Sequence, residues 1–266
     1  MRKALVIQGL AVLTLTLSAQ ADTLWDNGPF ETGLATNGNR ISQIQDGYDT
    51  FGIVAGGYAA APQRVADDFI IPAGKKWQLT HTVWHAYQGS VANNPFTKAY
   101  VGIFDTDPTG TTNLSPLYGD LNPATATNRL LGQTFTNVYR VSAAAPTGTT
   151  RPIQAVSIDL SWVPELTAGH YWIAVGLAGT TDTATVAVVP VTPGPVGANG
   201  LSWGRTRYSP PGREDFWQYA DGAIPTGGDP NSLEPYDHAF QIHGTPEPAT
   251  VSLLALAGLI GLRRRR

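Results

Sequence analysis

The sequence predicts an all-β protein built as a single β-sandwich domain with jelly-roll-like topology. Short runs rich in threonine, valine, isoleucine and aromatic residues recur along the chain, as they do in strands. The 29 glycines and 20 prolines divide these runs at short intervals, which is typical of turns between strands. No comparable segment of the body has the apolar period of a helix, and many short strands without intervening helices favour a sandwich.

The predicted strands follow one another along most of the body. They are 23–25, 65–71, 77–88, 98–104, 130–141, 153–160, 170–177, 183–191, 201–208 and 237–244. Within 77–88, strand alternation predicts an inward face made of Trp77, Leu79, His81, Val83, His85 and Tyr87. The segment 164–171, PELTAGHY, is predicted to be a loop and turn that leads into a strand at Tyr171.

The first 21 residues have the three parts of a secretory signal peptide. Arg2 and Lys3 are positively charged, residues 4–17 are largely apolar, and Ala19 and Ala21 are the small residues of a cleavage site. This order predicts cleavage before Asp22 by signal peptidase and export of the rest of the chain. The alternative, a buried N-terminal helix that stays in the protein, does not explain why the three parts come in this order.

The other end carries an apolar run followed by positive charge. Residues 249–262 form an uncharged stretch of 14 residues, and four arginines, 263–266, come directly after it. As a helix the run is about 21 Å long, shorter than the ~30 Å hydrocarbon core of a bilayer. The arginines can extend the effective span by snorkelling, and the positive-inside rule leaves them in the cytoplasm with the body outside.

Pro246, Glu247 and Pro248 stand just before this run. Pro-Glu-Pro, an apolar helix and terminal arginines, in this order, resemble the PEP-CTERM sorting signal of Gram-negative bacteria. The resemblance covers residues 245–266 and implies recognition by an exosortase, a membrane-embedded cysteine peptidase, with removal of the tail near Pro-Glu-Pro. It also implies a final place at the cell surface or in an extracellular matrix that contains exopolysaccharide, such as a biofilm.

A looser resemblance concerns the body of the chain. ADDFIIPAGKKWQLTHTVWHAYQ (66–88), TNRLLGQTFTNVYRV (127–141), RPIQAVSIDL (151–160) and LTAGHYWIAV (166–175) resemble segments of uncharacterised secreted proteins with such tails. This likeness implies export and a β-sandwich, but no activity. The chain then divides into a signal peptide (1–21), a β-sandwich domain (22–245) and a sorting signal (246–266).

Charge and cysteine content restrict what the body does. Six of the 17 basic residues lie in the two terminal segments, whereas only one of the 20 acidic residues does, so the body is more acidic than the whole chain with its net charge of −3. An acidic body disfavours nucleic-acid binding. The chain has no cysteine, which excludes disulfides, thiol catalysis and zinc–thiolate sites.

A long segment poor in strand signal, 209–237, follows the predicted strand 201–208. Aromatic and charged residues cluster around its start, and the candidates for glycan binding are Trp203, Arg205, Trp217 and Tyr219. Aromatic rings stack on the apolar faces of sugars, and arginine hydrogen-bonds their hydroxyl groups. The alternative is that the tryptophans anchor this segment on the core. Trp84, Trp162 and Trp172, which lie in or next to predicted strands, are expected in the core.

The segment FDTDPTGTTN, 104–113, is the candidate metal site. Asp105, Asp107 and Asn113 supply the carboxylate and amide oxygens that calcium prefers, within a glycine-containing turn. The alternative is an ordinary hairpin turn, because the same residue types favour turns for backbone reasons. Apart from this calcium ion, the sequence predicts no cofactor.

Two other groupings are weaker. Asp67 and Asp68 are neighbours on a predicted strand and should point to opposite faces; either could form a glycosidase pair with Glu214 or Asp215 only if folding brings them together. His81 and His85 lie about 13 Å apart along a strand, too far to share one ion. No residue is therefore assigned as catalytic.

The sequence thus predicts an exported, noncatalytic surface or matrix protein. Its expected partners are signal peptidase, an exosortase, the membrane through a transient C-terminal helix, and exopolysaccharide. The alternative is a secreted polysaccharide-cleaving enzyme with a sandwich fold, which would require two acidic residues in one groove.

Overall fold

The computed structural model describes residues 21–43, 53–56, 63–91, 94–108, 115–181, 186–191, 205–207, 217–219 and 237–246. For 205–207 and 217–219 the description is of the backbone. All regular structure in these ranges is β-strand, so the prediction of an all-β protein is confirmed for the described residues. Among them, no helix has the length and apolar character needed to cross a bilayer. Residues 1–20 and the predicted helix 249–262 lie outside the described ranges.

The described residues form fourteen strands. They are β1 (Asp22–Asp26), β2 (Gly33–Leu34), β3 (Arg40–Gln43), β4 (Ile53–Gly56), β5 (Arg64–Gln88), β6 (Phe96–Phe104), β7 (Tyr118–Asp120), β8 (Leu130–Val141), β9 (Pro152–Asp159), β10 (Leu166–Gly179), β11 (Val186–Val188), β12 (Arg205–Arg207), β13 (Trp217–Tyr219) and β14 (Phe240–Pro246). Each predicted strand overlaps one of these. The short strands β2, β3, β4, β7 and β13 were not predicted.

Two sequence predictions of strand limits are wrong. The predicted strands 65–71 and 77–88 are parts of one strand, β5, and the predicted loop 164–171 contains the first residues of β10. Both differences have the same cause, because β10 pairs with β5 at Leu166↔Trp77 and again at Gly169↔Ile71. The intervening β5 residues 72–75 are exposed, and Gly74 has a φ of +73°, which a glycine adopts without strain.

The other strands are arranged around β5. One edge of its first half pairs with β10, and β6 and then β7 follow outward from β10. The other edge of the first half pairs with β12, and β13 follows outward from β12. Its second half pairs on one edge with β9, followed by β8, β3 and β2. The opposite edge pairs with β14, which carries β1, and with β11. β4 connects β11 to β10.

One large core cluster draws on both halves of β5 and on the strands beside each half. Its largest fully buried members are Phe69, Ile71, Leu79, Trp84, Ile103, Ile158, Leu160, Ile173 and Phe240. Trp84 and Trp172 are buried, and Trp162 is partly buried against the same cluster, so the prediction that these tryptophans belong to cores is confirmed. At roughly 25 cal/mol per Å² of buried apolar surface, such a cluster is the main stabilising contribution to the fold.

A β-bulge at Thr80 decides which residues of 77–88 face this core. β14 pairs His243 with His81 and Gly244 with Leu79, so Thr80 has no partner in the ladder. An extra residue in one strand reverses the alternation beyond it. The prediction of a single inward face is therefore wrong: Trp77 and Leu79 lie in the main core, but beyond the bulge Trp84 and Ala86 do.

Gly244, opposite the bulge, makes this pairing possible. A Cβ at this position would lie 2.3 Å from the carbonyl oxygen of Gln78 and 2.8 Å from Leu24 Cδ1. Gly244 also pairs with Asp22, so it lies between the first strand and the central one.

We expect Gly244→Ala to lower the free energy of unfolding by about 1–3 kcal/mol, because the added methyl group forces the backbone of β14 away from β5. Gly132→Ala is the matched control, since a Cβ there meets no atom within 4 Å. Urea denaturation of both variants tests this, and equal stabilities would contradict the close approach at Gly244.

Candidate functional site

The first half of β5 places charged and aromatic residues on one face. Val65, Phe69 and Ile71 belong to the main core, whereas Ala66 belongs to a second cluster with Trp172 on the opposite face. Register across β5, β10 and β6 puts Asp68, Trp172 and Phe104 in one row. We call the face that carries Arg64, Asp68, Tyr100, His170 and Trp172 the platform face.

Asp68 and His170 form a hydrogen-bonded pair on the platform face. His170 Nε2 lies 2.6 Å from Asp68 Oδ2, and the imidazole stacks on Trp172 with ring centroids 4.0 Å apart. The Asp68 side chain is 4% exposed, whereas that of His170 is 40% exposed. The pair therefore holds an imidazole in one orientation at the border between the buried aromatic cluster and solvent.

Arg64 lies across the same face. Its Nε donates to the carbonyl oxygen of Leu121 at 2.8 Å, and its guanidinium carbon is 5.9 Å from the centre of the Tyr100 ring. A side chain at Gly176 would lie 2.7 Å from Arg64 Cδ. The absence of a side chain at Gly176 therefore lets the arginine cross β10, which explains how a guanidinium can be buried beside an aromatic ring.

The β12–β13 pair extends the platform face and contains three of the four residues predicted to bind a glycan, Arg205, Trp217 and Tyr219, together with Arg207. β12 pairs with β5 at Arg205↔Ala66 and Arg207↔Arg64, and with β13 at Arg205↔Tyr219 and Arg207↔Trp217. Directly opposed residues of an antiparallel pair lie on the same face. The backbone register therefore brings Arg205, Arg207, Trp217 and Tyr219 together next to Arg64 and Ala66. Trp203, the fourth predicted residue, lies outside the described ranges.

The opposite face of β5 carries a buried carboxylate. Asp67 is fully buried, and its Oδ2 accepts hydrogen bonds from the backbone N–H of His238 at 2.6 Å and from Asn27 Nδ2 at 3.1 Å. Its Oδ1 accepts the N–H of Asp68 at 2.8 Å. The carboxylate thus ties the segment after β1 and the segment before β14 to the central strand.

Burial raises the pKa of Asp67 well above its ordinary value of 3.8, and the negative charges of Asp237 and Asp68 raise it further. The hydrogen bonds from the His238 and Asp68 N–H groups act in the opposite direction. Desolvation has the larger effect, since a fully buried carboxylate loses its hydration and no cation is among the groups that act on it.

Asp67 and Asp68 point to opposite faces, as expected for neighbours on a strand. One carboxylate bonds Asn27 and His238, and the other bonds His170, so the two do not form a side-by-side acid pair. Glu214 and Asp215, their proposed partners in a glycosidase, lie outside the described residues.

The predicted calcium loop begins directly after β6. Asp105 Oδ1 is 3.4 Å from the hydroxyl of Thr106, Asp107 follows, and Asn113 lies outside the described ranges. In the described part of the chain, no group of three or more His, Asp or Glu side chains is placed to hold a metal ion.

The histidines of β5 each contact a different ring. His85 stacks on Phe30 with ring centroids 3.9 Å apart, and burial lowers its pKa to about 4. His81 instead stacks on His243 of β14, with ring centroids 4.4 Å apart. The sequence did not indicate this partner, because nothing local to either residue reveals that β14 pairs with β5.

Comparisons with models of protein families, with curated proteins and with solved structures found no match to this chain.

The raised pKa of Asp67 predicts a specific pH dependence of stability. A carboxyl group whose pKa is higher in the folded state than in the unfolded state stabilises the protein most at pH values below the unfolded pKa. This contribution to the free energy of unfolding is lost as the pH rises through the folded pKa. The pKa values of His81, His85 and His243 are lowered, so their contributions change in the opposite sense and are lost on acidification.

The difference in free energy of unfolding between the parent and Asp67→Asn isolates the carboxyl group. We expect the free energy of unfolding of the parent, relative to that of Asp67→Asn, to be higher at pH 5 than at pH 8. The relative value should change by at most about 1.4 kcal/mol per pH unit. Urea denaturation at both pH values measures it, with Asp22→Asn as a control for the loss of an exposed charge. A difference independent of pH would show that Asp67 does not titrate in this range.

Proposed function

We propose that this chain is an exported, noncatalytic glycan-binding domain of the cell surface or extracellular matrix. The observation that carries the proposal is the register of β13, β12 and β5, which brings Arg205, Arg207, Trp217 and Tyr219 together beside Arg64. The sorting signal suggested by residues 246–266 supports the location. The same resemblance makes exopolysaccharide the expected ligand.

The β12–β13 extension of the platform face has the residue types that polysaccharide binding needs. Planar aromatic side chains offer large apolar surfaces at little cost in conformational entropy, and arginine offers several N–H donors in a fixed plane for hydroxyl or carboxylate oxygens. Trp172 and Phe104 lie in one row of this face and Tyr100 lies further along it, but all three rings are buried. The proposal therefore places the sugar-binding rings in the β12–β13 pair. A sugar chain lying along the β12–β13 pair would meet rings and donors on one surface.

The proposed fold is a β-sandwich of jelly-roll type. Two features support it: the two halves of β5 pair with different sets of strands, and residues of both sets share the main core. A core filled from two sets of strands is what two packed sheets produce.

The proposed processing sites lie next to paired strands. Asp22, before which cleavage by signal peptidase is proposed, is the first residue of β1, and Pro246, the first residue of the Pro-Glu-Pro motif, is the last described residue of β14. β1 and β14 are paired neighbours, with Asp22 opposite Gly244. This supports a domain of residues 22–245 whose two signals leave from adjacent strands, the first to signal peptidase and the second to the membrane and an exosortase.

The binding proposal predicts a loss of affinity in Trp217→Ala. Full-length protein in mild detergent is mixed with exopolysaccharide from its own host, and bound protein and new reducing ends are measured after sedimentation. We expect binding without new reducing ends, and a roughly tenfold or greater weakening in Trp217→Ala, the size of loss that an aromatic residue at the centre of an interface produces.

Gln218→Ala is the matched control, because Gln218 is the neighbour of Trp217 and pairs with Thr206 in the alternate row. Equal losses in both variants would contradict the assignment of the face. The appearance of new reducing ends would instead make the protein a polysaccharide-cleaving enzyme.

Calcium binding by Asp105, Asp107 and Asn113 is a further part of the proposal. Calcium at about 100 times its dissociation constant stabilises a folded site by about 2.7 kcal/mol, so the melting temperature should rise when calcium is added. Asp105→Ala should abolish the rise, and Asp22→Ala, in an exposed acidic residue outside the loop, should keep it. An unchanged melting temperature of the parent in calcium would contradict this part.

A further inference from the structure

A pair of histidines on the second half of β5 lies apart from the platform face. His81 and His243 are directly opposed in the β5–β14 ladder, and their rings are 4.4 Å apart with planes only 4° from parallel. They are part of a row across four neighbouring strands, which consists of Thr23, His243, His81 and Asp159. Both side chains are partly exposed.

Each imidazole has a threonine hydroxyl beside the same ring nitrogen. His81 Nδ1 is 3.1 Å from the hydroxyl of Thr80, the bulge residue, and His243 Nδ1 is 3.4 Å from the hydroxyl of Thr23. When Nδ1 carries the proton and donates it to the hydroxyl, Nε2 keeps a lone pair. Within the described part of the chain, Nε2 of neither ring has a hydrogen-bond partner.

Burial favours the neutral form of both rings. Burial lowers the pKa of His81, and the neighbouring His243 lowers it further; burial also lowers the pKa of His243. Metal ions bind the neutral form of imidazole.

Nearby negative charge favours a cation at this position. The negative charge of Asp26 acts to raise the pKa of His243, so it favours a positive charge at this ring. Asp26 accepts hydrogen bonds from Gln241 Nε2 at 2.9 Å and from the Gly28 N–H at 3.0 Å, which hold the carboxylate in place. Asp159, in the same row as His81, is paired with Arg129 at 3.5 Å.

We propose that His81 and His243 bind one zinc-like divalent transition-metal ion through their Nε2 atoms, with water completing the coordination. Zinc–nitrogen bonds of about 2.0–2.1 Å put two nitrogens of one tetrahedral ion roughly 3.3 Å apart. Directly opposed residues of an antiparallel pair have Cβ atoms about 4.5–5.5 Å apart, which lets two imidazoles reach one ion. The stacked arrangement is therefore the metal-free one, and both partly exposed rings must turn out of the stack so that their Nε2 lone pairs converge on the ion. The hydroxyls of Thr80 and Thr23 are placed to accept the Nδ1–H of His81 and His243. Such hydrogen bonds orient histidines that bind a metal through the other ring nitrogen.

The site exists only when β14 is paired with β5, since each strand supplies one ligand. Metal binding should therefore raise the melting temperature, because the ion binds the folded protein in preference to the unfolded chain. Protons compete for the same lone pairs, so binding should weaken at pH 5.

The test is calorimetric titration of full-length protein, in mild detergent and with a histidine-free affinity tag, with zinc and with nickel chloride at pH 7.5. We expect one ion per chain, a rise in melting temperature, and loss of both in His81→Gln. His243→Phe is the second variant: it keeps a stacked ring opposite His81 and so preserves the pairing, but it lacks the ligating nitrogen.

His85→Gln is the control, because this histidine lies on the same strand but stacks on Phe30. It should bind zinc as the parent does, provided that circular dichroism confirms it is folded. Absence of heat and of a thermal shift with both metals in the parent would overturn the proposal. Unchanged binding in His81→Gln and His243→Phe would overturn it as well, since the ion would then be held by other residues.

Discussion

The platform face, the buried Asp67 and the His81–His243 pair all depend on the backbone pairing of one strand, β5, which hydrogen-bonds with five other strands, β9, β10, β11, β12 and β14. Because side chains alternate along a strand, a single register decides which residues meet in the core and which meet on each outer face. In the first half of β5 this places Asp67 among buried groups and Asp68 beside His170. Two adjacent aspartates thus have different environments and different chemistry.

The buried Asp67 is the polar counterpart of the apolar core. Its hydrogen bonds reach Asn27 and His238, which lie next to the first and the last described strands. A buried carboxylate costs free energy unless it is protonated or well hydrogen-bonded, and here it has three N–H donors in addition to a raised pKa. Because hydrogen bonds are directional, the same contacts fix the positions of β1 and β14 more specifically than apolar contacts of equal size would.

The bulge at Thr80 has a separate consequence for the second half of β5. It moves Trp84 and Ala86 into the core, leaves His81 on the outer face, and brings the Thr80 hydroxyl beside the imidazole of His81. Gly244 accommodates the bulge on the partner strand, since its missing side chain leaves room for the carbonyl of Gln78. The proposed metal site and the proposed glycan-binding face therefore lie on different parts of the same strand and can be tested independently.

The sequence by itself determined the all-β character and the position of most strands, because β-branched and aromatic runs between glycines and prolines are local signals. It also indicated that Asp67 and Asp68 diverge and that His81 and His85 are too far apart to share an ion, since both follow from strand geometry alone. Only the tertiary structure decided that 65–71 and 77–88 form one strand, that the inward face changes at Thr80, and that His243 lies against His81. These features depend on register between segments far apart in the chain, and register is set by the packing of the whole core and by bulges, which leave no reliable local pattern.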